Sequence, residues 1–328
     1  MAAKRGSLNG MKWRYIVRRL CIAVPTFFGI TLIVYIIASF APGSPLDAFL
    51  ADPRITAAEL ARKKTAMGLD RPVAVQYLMW LKAFLGGDFG FSFSTKKPVL
   101  DVIIQRMGPT LLLAFSSVVL SVAAAVFLGI SAASRINTVR DYAASGLSLF
   151  MLSSPNFFVG LVLIYIFSVK LKLLPSNGLY DSAGEKSFGM LLRHMILPVL
   201  VLSFQHIGNW TRHMRSSVIS TLTEDYIRTA RAKGLGRTQT ILRHALRNSL
   251  TPLLTVIGMS IPEFVGGAVI TEQIFSWPGV GSLMVQAISS RDYPVIMGIT
   301  VFVALLALLS NLVTDILYGQ LDPRVRYE

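Results

Sequence analysis

The sequence is short of charge and of cysteine. Of its 328 residues, only 15% are Asp, Glu, Lys or Arg, whereas 53% are hydrophobic. Average soluble domains carry about 25% charged residues, so this chain has too few charges to cover a surface that faces water. The shortage of charge excludes an ordinary soluble enzyme, and the apolar content excludes a disordered basic protein. The composition therefore indicates a membrane protein.

Groups that carry chemistry are also scarce. The one cysteine, Cys21, excludes a disulfide within the chain and a cysteine metal cluster. The four histidines are dispersed along the chain, at positions 194, 206, 213 and 244. There is no HExxH or GxSxG motif, and segment 178–187, which comes nearest to a phosphate-binding loop, has the wrong spacing and predicts a turn. We therefore expect a chain that is not an enzyme, has no catalytic residue, and binds neither a cofactor nor a metal.

Six apolar runs dominate the sequence, and each is long enough to cross a bilayer as a helix of about 20 residues. They cover residues 21–40, 109–133, 142–174, 195–217, 249–275 and 294–318. Pro155 lies inside the third run and predicts a kink there. The first run is longer than the apolar core of a signal peptide, about 7–15 residues, which favours an uncleaved helix. The predicted fold class is an all-α polytopic membrane protein with six transmembrane helices.

The distribution of Lys and Arg predicts the orientation, because these residues collect on the cytoplasmic side. With the amino terminus inside, 18 Lys and Arg fall in the inside pieces: 1–19, 134–141, 211–247 and 320–328. Only 14 fall in the outside pieces, which are longer in total: 42–108, 169–194 and 276–294. We therefore predict that both termini are cytoplasmic. This topology accounts for the net charge of +15 without nucleic acid as a partner.

The predicted organisation has five parts and no linker to a second soluble domain. They are a basic amino-terminal segment, 1–19; a first transmembrane helix, 20–41; an extracytoplasmic segment, 42–108; a core of five helices, 109–319; and a cytoplasmic tail, 320–328. The extracytoplasmic segment is too short for a catalytic domain and predicts a small cap on the outer face. Within it we expect one amphipathic helix, marked by Val75, Leu78, Met79 and Lys82.

Three acidic residues lie in or near the apolar runs, where a carboxylate is costly and is by default a functional candidate. Glu272 and Asp315 lie near the ends of runs, which favours anchoring at the membrane interface. Glu263 follows a proline, in a stretch where the helix is expected to be distorted. For Glu263, the lining of a polar pathway and packing between helices are equally supported.

Segment 221–248, between the fourth and fifth runs, has the pattern of a structured loop inside the core. Thr221 and Glu224 fit a capping box, in which each side chain satisfies a free backbone N–H group at the start of a helix. A short helix is expected over 222–233, with four apolar positions on one face: Leu222, Tyr226, Ile227 and Ala230. Gly234 should end this helix, and a second helix should begin near Thr238.

Two other interpretations of this segment remain open. It fits an amphipathic hairpin on anionic lipid, although that does not account for the stop at Gly234. It also has the outline of a DNA-binding helix-turn-helix, although both of its ends are attached to membrane helices. A structured, basic loop of this kind is too small for an enzyme and is well suited to transmitting force to a partner.

The loop and its surroundings resemble a known family. Residues 225–235 read Asp-Tyr-Ile-Arg-Thr-Ala-Arg-Ala-Lys-Gly-Leu, and residues 241–248 read Ile-Leu-Arg-His-Ala-Leu-Arg-Asn. This resembles the EAA loop of bacterial ABC importer permeases, and more narrowly that of dipeptide and oligopeptide permeases. The loop keeps Ala230, Gly234 and Leu246 and departs from the general pattern at Arg228, Thr229, His244 and Arg247. Further matches follow in the family's order, at 41–45, 68–72, 76–77, 87–90, 272–281, 291–294, 317–319 and 322–327.

The resemblance implies one of two homologous permease subunits of an ATP-driven importer of dipeptides or oligopeptides in a bacterial plasma (inner) membrane. The implied partners are a second permease, two ATPase subunits that carry ATP and Mg, an extracytoplasmic peptide-binding protein, the peptide and membrane lipid. The loop would couple to an ATPase subunit through an apolar face of Tyr226, Ile227 and Ala230. The expected coupling residues are Glu224, Asp225, Tyr226, Ile227, Arg228, Ala230, Arg231, Lys233 and Gly234.

The implied translocation pathway should be lined by polar residues on kinked helices. The candidates are Ser153, Ser154, Pro155, Asn156, Gln205, Asn209 and Glu263. For each of them, hydrogen bonding between helices is the competing interpretation. A nickel or other small-solute permease of the same family remains an alternative function. An ion-coupled secondary transporter is the alternative from another class; it predicts internal repeats, and no convincing repeat relates the two halves.

Overall fold

A computed structural model describes residues 2–40, 46, 55–180 and 187–321 of the chain. Within these residues the chain is helical, and the one extended pairing is an isolated bridge between Phe91 and Pro98. The family matches at 41–45 and 322–327 lie outside the described residues, as does most of the turn predicted at 178–187.

Within the described residues there are twelve α-helices, numbered in chain order. They are α1 (Ala2–Phe40), α2 (Ala57–Ala66), α3 (Val73–Leu85), α4 (Val99–Ser134), α5 (Val139–Ser153), α6 (Asn156–Leu163, continued as a π-helix over Ile164–Lys170), α7 (Phe188–Leu222), α8 (Asp225–Ala232), α9 (Arg237–Thr240, continued as a π-helix over Ile241–Ala245), α10 (Leu246–Ile274), α11 (Val280–Ser289) and α12 (Tyr293–Leu321).

The described helices supply four candidate membrane spans, or six if each of two bent pairs is one span, which fits the six predicted runs. By length and composition, four spans are single helices: Cys21–Phe40, Val99–Ser134, Phe188–Leu222 and Tyr293–Thr314. Two more are bent pairs: Val139–Ser153 with Asn156–Lys170, and Arg237–Phe264 with Ala268–Ile274. Each predicted apolar run falls on one of these spans, so the all-α polytopic fold class is confirmed.

The third span breaks at Pro155. Its two halves meet at 103°, which is sharper than the predicted kink. Ser154 and Pro155 are both extended, with ψ of 124° and 133°. Proline disfavours a helical conformation in the residue before it, so the helix ends there and restarts at Asn156. Other prolines, such as Pro198, remain inside a helix.

The chain divides into two compact units. Unit 1 comprises Met1–Gly108 with Gly279–Leu308, and unit 2 comprises Pro109–Pro278 with Leu309–Glu328. In unit 1, the first turns of α4 pack against α11 and the start of α12 in a cluster that includes Val99, Ile103, Val280, Leu283 and Val295. In unit 2, the core is built from α4, α7 and α10 around Trp210, Leu202, Phe264 and Met214.

Helix α3 packs through aromatic rings, against expectation. Tyr77 is buried and its hydroxyl lies 3.1 Å from the Thr31 hydroxyl of α1, while the rings of Trp80 and Phe84 stack 5.6 Å apart. A helix is present where one was predicted, but the residues that marked it are exposed and do not form the packed side: Val75, Leu78 and Met79. α3 is apolar on both sides, and the larger aromatic side chains remove more surface from water when they take the packed side.

Asp292, between α11 and α12 in unit 1, fixes the turn at residues 92–94. Its carboxylate accepts hydrogen bonds from the Ser92 hydroxyl (2.5 Å), the Phe93 amide (3.0 Å), and the amide and hydroxyl of Ser94 (3.0 and 2.8 Å). Asp292 is buried, and these four donors offset the cost of removing its charge from water.

Glu272, in unit 2, is enclosed rather than interfacial. It is 0% exposed, and its Oε1 accepts a hydrogen bond of 2.6 Å from the Thr110 hydroxyl. Close by in the sequence, the Trp277 indole donates to the carbonyl of Pro109. Interfacial anchoring is therefore the wrong interpretation of Glu272, because its carboxylate is held by α4. The side chain of Asp315 lies outside the described residues.

Helices α5 and α7 cross closely because α7 has a glycine at the contact. A Cβ on Gly208 would lie 2.6 Å from the Ser148 carbonyl oxygen and 2.9 Å from the Met151 Cβ. Small residues permit membrane helices to approach in this way. The crossing fixes α7 against the first half of the broken span.

We predict that Gly208→Ala destabilises the chain by about 1–3 kcal/mol, because the added methyl group forces α5 and α7 apart. Gly146→Ala, on α5, is the matched control, since a Cβ there meets nothing within 4 Å. Thermal unfolding in detergent should give a lower midpoint for Gly208→Ala only. Equal midpoints for the two variants would contradict the close crossing.

Candidate functional site: the loop after α7 and the polar face of α7

Helix α8 begins later than predicted, and Thr221 does not cap it. α7 extends to Leu222, and the Thr221 hydroxyl donates to the Ser217 carbonyl of α7 at 2.8 Å. The residue that precedes α8 is Glu224, which makes no side-chain capping bond. The predicted capping box of Thr221 and Glu224 is therefore wrong. A threonine hydroxyl bonds equally well to a carbonyl four residues back in its own helix, and here that partner prevails.

Helix α8 ends at the predicted glycine. Gly234 has a φ of +85°, a left-handed conformation that glycine adopts without steric cost. Its N–H group donates to the Arg231 carbonyl at 2.9 Å, and the Leu235 N–H group donates to the Ala230 carbonyl at 3.4 Å. These two bonds form a Schellman motif, which satisfies the last carbonyls of the helix. The next helix begins at Arg237, close to the predicted start.

The apolar side of α8 faces its own chain. Ile227 is 0% exposed and Ala230 is 7% exposed. Both are therefore already covered, and the expectation that they form an open docking face is wrong. Successive helical residues are about 100° apart, which puts an exposed set on the opposite side: Asp225, Arg228, Thr229 and Ala232. Tyr226 lies at the edge of this set and is 41% exposed.

Side-chain hydrogen bonds tie the loop to the two long helices that flank it. The Ser217 hydroxyl of α7 donates to the Ser249 carbonyl of α10 at 2.9 Å, and the Ser249 hydroxyl donates to the Thr221 hydroxyl at 3.0 Å. The Asn248 amide donates to the Tyr226 hydroxyl at 2.7 Å. These bonds connect α8 to α10 and α10 to α7.

A buried ion pair joins the start of α5 to α7. Arg215 meets Asp141 through two bonds, Nε to Oδ1 at 2.6 Å and a terminal nitrogen to Oδ2 at 2.8 Å. Asp141 Oδ2 also accepts the backbone N–H of Asn137 at 3.0 Å. The Asp141 side chain is 3% exposed, so loss of Arg215 would leave a buried carboxylate without its main partner.

Below the α5–α7 crossing lies a cavity of about 600 Å³. It is lined by Ser145, Leu149, Asn209, Arg212, His213, Arg215 and Ser216. Gln205, Asn209, Arg212 and Ser216 recur every three or four residues, so they share one face of α7. This polar face is the second part of the candidate site.

The predicted pathway residues are only partly brought together. The Gln205 amide donates to the Ser154 carbonyl at 3.2 Å, and Asn209 lines the cavity. Ser153, Pro155, Asn156 and Glu263 are not among the cavity-lining residues, and Ser153, Pro155 and Glu263 are exposed.

Arg212 and Ser216 were not among the predicted pathway residues, although both lie in the fourth apolar run, 195–217. Their spacing from Asn209 was the available signal. Within the described ranges, no three His, Cys, Asp or Glu side chains are grouped as metal ligands.

Comparison with known proteins agrees with this geometry. Residues 125–327 match the binding-protein-dependent transport system inner membrane component family, and residues 12–114 match the N-terminal family of such membrane components. The oligopeptide transport system permease protein AppB of Bacillus subtilis (strain 168) is 41% identical over 314 residues, which are 95% of this chain and 99% of that protein. The dipeptide transport system permease protein DppB of Escherichia coli (strain K12) is 37% identical over 336 residues, with 96% and 99% covered.

A solved structure shares the fold. A crystal structure of an amino acid ABC transporter with histidines contains a chain that superimposes with a TM-score of 0.51 at 14% identity. The match covers 67% of this chain and 94% of that chain. At this identity, the likeness concerns the fold alone.

We predict that Gly234→Val loosens α8, because a β-branched residue is strained at this φ by about 1–2 kcal/mol or more. Hydrogen exchange of amides 225–235 should then be faster by roughly tenfold. Gly234→Asn is the matched control, since asparagine is tolerated at this position of a Schellman motif. No Cβ at Gly234 meets an atom within 4 Å, so the difference reports backbone conformation only. Equal exchange in both variants would mean that the left-handed turn does not hold α8.

Proposed function

The chain belongs to the binding-protein-dependent transport system inner membrane component family, and from this premise we propose that it is the permease subunit of an ATP-driven peptide importer. The observation that carries the proposal is the α7–α8–α10 connection: a short helix with an exposed polar face is hydrogen-bonded to α10, and α10 is hydrogen-bonded to α7. A connection of this kind can transmit a displacement of a partner subunit to the helices that line a membrane pathway.

Peptides are the substrate class that the relatives support. The chain aligns with nearly the full length of permeases whose names specify dipeptides and oligopeptides. These relatives favour peptides over nickel or another small solute. The family match also favours an ABC permease over an ion-coupled secondary transporter.

The proposed assembly contains a second homologous permease, two ATPase subunits and an extracytoplasmic peptide-binding protein. ATP and Mg belong to the ATPase subunits, since this chain has no phosphate-binding loop in its sequence. The complex lies in the inner membrane with both termini of this chain in the cytoplasm, as the distribution of Lys and Arg supports. The loop between α7 and α10 then faces the ATPase subunits.

Coupling works through the exposed side of α8. Arg228 and Thr229 lie near the centre of the docking surface, with Tyr226 at its edge, while Ile227 and Ala230 hold the helix to its own chain. Closure of the ATPase pair displaces α8, and the hydrogen bonds at its base move α7 and α10. This is a rigid-body transition that ATP biases by binding one state more tightly than the other.

The pathway follows the polar face of α7, from Gln205 to Ser216. Exposed polar groups on a membrane helix require water or protein beside them, because lipid cannot solvate them. The break at Pro155 supports this route, since it leaves the Ser154 carbonyl available to Gln205. Ser153, Asn156 and Glu263 belong to the same lining in this proposal.

The test is purification of the tagged chain in mild detergent, with identification of co-purifying proteins and an assay of dipeptide uptake in proteoliposomes. We expect ATPase subunits and a second permease, and uptake that requires ATP. Arg228→Glu should lower recovery of the ATPase subunits at least tenfold, because it reverses a charge on the proposed docking surface. The exposed ion pair of Arg228 with Asp225, at 3.6 Å, adds little to the stability of the chain.

Arg140→Glu is the matched control, because Arg140 is also exposed, lies in another predicted cytoplasmic piece, and undergoes the same change of charge. It should leave the complex intact. Full recovery of ATPase subunits with Arg228→Glu would mean that the docking surface does not include Arg228. A chain that purified alone and moved dipeptide under an ion gradient would refute the ABC importer.

A further inference from the structure

The cavity between α5 and α7 contains one guanidinium whose charge nothing in the cavity offsets. Arg215 is neutralised by Asp141 through two hydrogen bonds. His213 has its Nδ1 3.0 Å from the Asn209 carbonyl of its own helix. Arg212 is exposed, and no described carboxylate forms an ion pair with it. The cavity therefore carries a net positive charge at one defined place.

The cavity has the size and the neutral groups of a ligand site. Its volume of about 600 Å³ lies within the range of about 300–1,000 Å³ that small-molecule sites occupy. Asn209, Ser145 and Ser216 add an amide and two hydroxyls to its wall. Among the described lining residues, Leu149 is the one apolar side chain. The charge of Arg212 and these hydrogen-bonding groups can together hold an anionic ligand.

We propose that the cavity is a station on the peptide pathway, meaning a transient binding site, where Arg212 binds the terminal carboxylate of the passing peptide. The inference rests on the proposed function and adds a subsite to it. Guanidinium and carboxylate pair through two parallel hydrogen bonds, a geometry that a lysine does not reproduce. Peptides differ in their side chains, but every unmodified one ends in a carboxylate. A site that reads only this group accepts peptides regardless of sequence.

The exposure of Arg212 also suits a station rather than a final binding site. Ion pairs between exposed groups are weak, so a carboxylate held there is readily released. A transport pathway requires binding that is strong enough for entry and weak enough for exit. The paired Arg215 beside it keeps the α5–α7 wall in place while the ligand passes.

The first experiment measures ATP-driven dipeptide uptake by the assembled transporter in proteoliposomes. Arg212→Gln should lower the maximal rate about two- to fivefold, and Arg212→Lys should keep more of the rate than Arg212→Gln, because it keeps the charge. Arg140→Gln, an exposed arginine outside the cavity, should be as active as the unaltered chain. A normal rate with Arg212→Gln, or equal losses with Gln and Lys, would overturn the proposal.

A second experiment measures binding directly and does not involve the binding protein. With Cys21→Ser, the chain has no other cysteine, so Ser216→Cys introduces a single thiol into the cavity wall. A membrane-impermeant sulfonate thiol reagent should label it, and a dipeptide should slow labelling at least threefold, whereas the same dipeptide with an amidated carboxyl end should not. Equal labelling with and without dipeptide would overturn the station. Protection by phosphatidylglycerol in place of dipeptide would assign the cavity to a lipid headgroup and would also overturn it.

These outcomes separate the two proposals. If the unaltered complex takes up no dipeptide, the proposed function fails, and the station fails with it. If the unaltered complex takes up dipeptide and neither Arg212→Gln nor the labelling responds as expected, only the station fails.

Discussion

A polar group within a bilayer must find its partner in the protein or in a water-filled space, and the arrangement of this chain depends on that constraint. The carboxylate of Glu272 is enclosed and accepts a bond from Thr110. Asp141 is paired twice with Arg215. Arg212, on the same helix as Arg215, forms no ion pair with a described carboxylate and lies in the wall of a cavity. This is the place at which we propose that a polar solute passes the helical bundle.

The same constraint explains how a loop outside the spans can move them. α7 and α10 are joined at their ends by the serine and threonine hydroxyls of Ser217, Ser249 and Thr221, and α8 is fixed above this junction by Tyr226. A short helix with its apolar side already buried has no freedom to slide on its own chain. In the proposed coupling, a partner that displaces α8 acts on α10 through the bond of Asn248 to Tyr226 and on α7 through the bonds between α10 and α7. Helix α7 also carries the polar face of the cavity.

The sequence predicted those features that depend on neighbours along the chain. The six spans, the break at Pro155 and the helix end at Gly234 follow from hydropathy, from proline sterics and from the freedom of glycine. The errors concern choices between two partners. The Thr221 hydroxyl can form a hydrogen bond with the next helix or with its own helix. The Ile227 side chain can pack against a partner subunit or against its own chain. Glu272 depends on a hydroxyl that lies far away in the sequence, which no local pattern reveals.

The central claim is that α8 meets the ATPase subunits through the side opposite to Ile227. The most direct measurement places a photoreactive amino acid at Thr229 in the assembled transporter and identifies the cross-linked chain by mass spectrometry. We expect a cross-link from position 229 to an ATPase subunit. Leu242, which is 55% exposed in the same loop but outside α8, provides the comparison. A cross-link to the ATPase from position 242 with none from position 229 would contradict the account.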